Sequence, residues 1–86
     1  MPEHLLTFEL SPDGDELCVH GDVAGLRYMS LQFSRLADHA ARGEREHTHL
    51  MTDAWGGVGL SGERQGESDT LINHVKICAW PNQTPK

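Results

Sequence analysis

Basic residues are scarce in this chain: 7 Lys and Arg stand against 13 Asp and Glu, giving a net charge of −6 with the histidines neutral. That balance argues against nucleic acid or an anionic membrane as the main partner, because phosphate binding draws on a surplus of Lys and Arg. It suits a basic protein partner, whose encounter an acidic surface speeds. Long apolar runs are also absent. No stretch approaches the roughly 18 consecutive apolar residues of a membrane span. Met1-Pro2-Glu3-His4 carries no basic region, and the first apolar stretch is broken by Thr7 and Glu9. The expectation is a cytoplasmic protein without a signal peptide. Cysteine is nearly missing too. Cys18 and Cys78 lie far apart, form no CxxC pair and imply no disulfide framework. They read as free thiols of ordinary packing type.

What remains is a short chain with enough apolar residues for one core. Its 86 residues allow a single domain, 1–86, with 81–86 as a frayed tail. A domain of this size buries about 60% of its unfolded surface, so the core is thin and a large catalytic cleft has little room. Such folds often gain stability by dimerising.

Residues His4 to Leu10 alternate, with Leu6, Phe8 and Leu10 on one side and Thr7 and Glu9 on the other, as in a half-buried strand. Ser11-Pro12-Asp13-Gly14-Asp15 stacks turn formers, and Leu17 and Val19 resume the alternation opposite Cys18 and His20. Asp22 is a good N-cap for a helix over 22–42, with Val23, Leu26, Met29, Phe33, Leu36 and Ala40 as its core stripe and Gly43 at its end. A third strand is expected over 47–52 and a last one over 70–80, ended by Pro81. Between them, 53–69 is a long loop with Gly56, Gly57, Gly59, Gly62 and Gly66. The expected fold class is α+β, in the order β-β-α-β-β: one four-stranded, mostly antiparallel sheet with one helix on one face. The other face of that sheet then needs a partner or solvent. His20, His47, His49, His74 and Trp80 fall on it, which makes it a candidate face for a homodimer or another protein.

Three imidazoles, His47, His49 and His74, are candidates for zinc with an open fourth position. The spacing alone is weak, no carboxylate is evidently placed to orient the rings, and a half-exposed interface face explains them as well. No cofactor is expected. The glycine-rich segment is no phosphate loop, since it lacks the GK[ST] ending and does not run from strand into helix. It reads either as a plain flexible connection or as a recognition element. In the second reading Trp55 is the anchor, Gly56 and Gly57 give freedom, and Glu63, Glu67 and Asp69 form an acidic rim. No nucleophile elbow and no cysteine–histidine nucleophile pattern stands out, so an enzyme is not expected.

The second half also carries a family resemblance. Glu46-His47-Thr48-His49-Leu50-Met51-Thr52, Trp55-Gly56-Gly57, Leu60-Ser61, Gln65-Gly66-Glu67 and Leu71-Ile72-Asn73-His74-Val75-Lys76-Ile77 resemble the immunity protein 32 family of bacterial polymorphic toxin systems. The family pattern has an Asn-Glu pair before Leu-Ser where this chain has Val58-Gly59. The resemblance implies a cytoplasmic binder that neutralises a cognate toxin by direct contact and performs no catalysis. The alternative left by the residues themselves is a small histidine-rich metal-binding or regulatory module acting as a homodimer.

Overall fold

The structure, a computed structural model, describes residues 4–82. It is an α+β fold in which one helix sits with two small antiparallel sheets. Strand β1 (Leu6–Leu10) and strand β2 (Leu17–Gly21) form the expected hairpin, in register Leu6↔Gly21 through Leu10↔Leu17. The turn is held by its own side chains. Ser11 Oγ donates to Asp13 Oδ1, and Asp13 Oδ1 also accepts from the Asp15 N–H. Gly14 supplies the positive φ of 78°.

Helix α1 (Val23–Ala41) begins where the sequence places it: Asp22 Oδ1 accepts from the Gly25 N–H at 2.7 Å. That bond and the backbone at Leu5 hold the Asp22 carboxyl below its usual range. Gly25 is needed for a second reason. A Cβ there would lie 1.8 Å from the Leu5 carbonyl oxygen, so the first turn of the helix rests directly on the chain entering β1. Gly43, at φ 80°, closes the other end.

The buried stripe of α1 is Gly25, Met29, Gln32 and Leu36. The stripe expected from the sequence is thus rotated. Leu26 and Phe33 are each 52% exposed and Val23 is 67% exposed. Met29 and Leu36 of the expected stripe are buried, and the face turns toward Gly25 and Gln32 because only a glycine allows so close an approach to Leu5.

The single four-stranded sheet is also replaced. Strand β3 (Glu46–Met51) pairs with strand β5 (His74–Ala79) in a two-stranded ribbon, from Glu46↔Ala79 to Met51↔His74. The expected last strand is broken at Ile72-Asn73. Its first part, strand β4 (Thr70–Leu71), pairs instead with β1, completing the order β2-β1-β4. The Ile72 N–H donates to the Phe8 carbonyl, and the Asn73 carbonyl accepts from the Thr52 N–H, so these two residues carry the chain from one sheet to the other. Leu6, Phe8, Met29, Leu50 and Leu60 form the core between the sheets and the helix, with Tyr28, Ile72, Val75 and Ile77 packed around it. Of the expected frayed tail, Pro81 and Asn82 are described and 83–86 lie outside the described residues. Among the described residues no helix is long and apolar enough to cross a membrane.

Candidate functional site

The long loop is two structures in succession. Asp53–Trp55 form a single 3-10 turn after β3, ended by Gly56 at φ 74°. Gly57 turns inward, where a Cβ would lie 2.2 Å from Met51 Cβ. Trp55 is 60% exposed and Val58 72% exposed. From Gly59 the character reverses. The Gly59 carbonyl accepts from His4 Nε2, and the His4 ring stacks on Tyr28 at 4.8 Å. Leu60 is fully buried. Ser61 Oγ accepts from the Leu6 N–H and donates to the His4 carbonyl, while its own N–H donates to the Leu6 carbonyl. This half is fastened to β1 like a piece of strand.

That fastening encloses the face of β1 which the sequence leaves to solvent. Thr7 and Glu9 are completely buried. Glu9 stays ionised because its oxygens are fully supplied with donors. Thr7 Oγ1 and the Gln65 N–H reach Oε2 at 2.6 and 2.9 Å, and the Gly66 N–H reaches Oε1 at 2.8 Å. Burial pushes the carboxyl up, but those three bonds and the nearby His20 ring outweigh it and leave its pKa lowered.

His20 therefore does not share a face with the other histidines. It lies on β2 with Nε2 at 3.9 Å from Glu9 Oε1, too far for a hydrogen bond. Beside it, one ligand atom each from Cys18, His20 and Asp69 lie within 4.8 Å of one another. Asp69 is half-buried there rather than part of an exposed rim, whereas Glu63 and Glu67 are exposed on the segment bonded to β1. The sequence reading missed this cluster. Cys18 and His20, two apart on a strand, were a readable signal; the approach of Asp69 was not.

His47, His49 and His74 do meet, on the outer face of the β3–β5 ribbon, and all are exposed. His49 Nδ1 and His74 Nε2 share a hydrogen bond at 2.7 Å, and His47 packs edge-on to His49 at 5.0 Å. Among the described residues they do not bring three ligand atoms to one point as Cys18, His20 and Asp69 do. Desolvation, followed by the charges of His47, His74 and Lys76, lowers the pKa of His49, so its neutral form is favoured. Trp55 lies against His74 at 6.4 Å between ring centres, extending this face. At the far end of the ribbon Arg45 lies 4.1 Å above the Trp80 ring, which remains 59% exposed. The chain matches no protein-family model, no curated protein and no solved structure.

Proposed function

We propose that the chain is a protein-binding module of the immunity class, neutralising a cognate bacterial toxin by direct contact in the cytoplasm of the producing cell, with no reaction of its own. The observation that carries the reading is the exposure of Trp55 on a tightly held turn. A tryptophan left 60% open, on backbone ordered by Gly56 and Gly57, has the form of an interface anchor and not of a core residue. The adjoining His49–His74 pair supplies polar contacts around it. The net charge of −6 favours a basic partner. The test is to recover the tagged full chain from its native cell, identify the protein that comes with it, and repeat with Trp55→Ala. The anchor reading expects partner recovery to fall while the melting temperature stays within a few degrees. An undiminished yield of partner from a destabilised variant would reject it.

A second copy of the chain is favoured by a different surface. Among the described residues strand β2 pairs only with β1, and its Leu17 and Val19 are 55% and 46% exposed. Leu26 lies against Gly21 at the end of this strand, and Val23 and Phe33 extend the apolar surface along α1. Antiparallel pairing of two β2 edges about Val19 would cover this surface and keep the acidic tips, Asp13, Asp15 and Glu16, at opposite ends. Sedimentation of Leu17→Lys against wild type decides: a monomeric wild type removes this reading.

A further inference from the structure

We propose that Cys18, His20 and Asp69 form a zinc-binding site that ties the edge strand β2 to the segment entering β4. This inference stands apart from the Trp55 anchor and uses neither that residue nor the His49–His74 pair.

The backbone assembles the three ligands. Cys18 and His20 alternate onto one face of β2. Cys18 pairs with Glu9, and Glu9 pairs with Leu71, so the sheet places Asp69, two residues before Leu71, at the edge of the same row. One ligand atom from each residue lies within 4.8 Å of the other two. Ligands around a tetrahedral zinc, bound at about 2.0–2.3 Å, stand roughly 3.3–3.8 Å apart, so small side-chain rotations close the set. A thiolate, an imidazole and a carboxylate together suit zinc better than calcium or magnesium, which take all-oxygen shells. Three protein ligands leave a fourth position for water or an incoming donor.

The surroundings are built for such a set. His20 Nε2 is shielded from solvent and has no hydrogen-bond partner, an unusual state for a ring nitrogen. Glu9 Oε1 stands 3.9 Å from it, beyond hydrogen-bond reach, on a carboxylate held by three donors. Gly66 makes room for the third ligand, since a Cβ there would lie 2.4 Å from Asp69 Oδ2. Arg64 donates to the backbone carbonyl of Asp69 rather than to its carboxylate. Desolvation and the charges of Glu16, Asp69 and Glu9 hold the Cys18 thiol in its protonated form. A bound dication reverses that balance: the thiol releases its proton to solvent and the sulfur becomes a ligand.

The experiment uses the full chain stripped by chelator and titrated with zinc chloride by calorimetry. Cobalt(II) titration, read by absorption, runs in parallel. One zinc per chain, a melting temperature that rises with zinc, and a thiolate-to-cobalt charge-transfer band are expected. Cys18→Ser should abolish that band and weaken zinc by roughly a hundredfold, and Asp69→Asn by at least about tenfold. His49→Ala/His74→Ala should leave both unchanged. If Cys18→Ser fails to fold, the wild-type cobalt band and Asp69→Asn still decide. No zinc held by wild type, no thiolate band, or binding that survives Cys18→Ser and disappears in His49→Ala/His74→Ala would overturn the site.

Discussion

Two clusters of titratable side chains sit on the two sheets, and they are built in opposite ways. On the ribbon, His47, His49 and His74 lie in the open, His49 hydrogen-bonded to His74 and His47 packed edge-on to His49, with Trp55 bordering them. On the three-stranded sheet, Glu9 is sealed from solvent and faces His20, Cys18 and Asp69, groups of three different chemistries. The histidine cluster is conspicuous in the sequence, yet its atoms do not converge. The other is scattered over sixty residues and converges because β1 stands between its contributors. Density of reactive residues along a chain says less than whether the backbone brings unlike groups to one point.

The difference predicts unequal stability costs. Glu9→Ala leaves the buried Thr7 hydroxyl and two half-buried N–H groups, those of Gln65 and Gly66, without their acceptor; at about 1–3 kcal/mol for the buried donor and less for the other two, a loss on the order of 3 kcal/mol is expected in a urea titration. His49→Ala, on the open cluster, should change stability by no more than about 0.5 kcal/mol. Equal losses would dissolve the distinction between a sealed and an open site.

The two halves of the loop allow a finer comparison. Leu60→Ala removes a fully buried side chain and should cost about 2–5 kcal/mol, while Val58→Ala, two residues earlier and 72% exposed, should cost less than about 0.5 kcal/mol. On the helix, Phe33→Ala should cost roughly 1 kcal/mol, since half of its ring is already in water; a full core loss would mean that the stripe through Phe33 packs after all.

The pH response sharpens the contrast between the clusters. Glu9 has a folded pKa below its ordinary value of 4.5, so its contribution is fully present above that value and is lost as pH falls beneath it. His49, lowered from 6.5, acts in the same sense but at higher pH: its loss sets in as pH falls below 6.5. Denaturation followed from pH 8 to pH 3 should show one decline setting in below 6.5 and a further one below about 4.5. Glu9→Gln should make the decline below about 4.5 shallower, with Asp13, Asp22 and Glu44 keeping their share, and should leave the one at higher pH; an acid decline unchanged by Glu9→Gln would assign the acid sensitivity elsewhere.

Much of the fold was legible because it rests on local chemistry. The alternation of β1, the turn formers before β2, the N-cap at Asp22 and the glycine at 43 each act within a few residues. The helix face was not legible, because Val23, Leu26 and Phe33 repeat at the same spacing as a true core stripe and only the contact of Gly25 with Leu5 selects between them. The break of the last strand at Ile72-Asn73 was hidden as well. Its alternation continues through the break, and the hydrogen bonds that split it come from β1 and Thr52.

The sequence by itself determined a small acidic α+β chain, its hairpin, its single helix and an aromatic placed among glycines, since composition and short-range spacing suffice for these. Only the tertiary structure decided that there are two sheets, that Glu9 is sealed, that Trp55 stands open, and that Cys18, His20 and Asp69 meet. Each of these depends on the chain from Gly59 to Leu71 returning to β1. That return is specified by backbone hydrogen bonds, which any residue but proline can donate and which therefore leave little mark on the sequence.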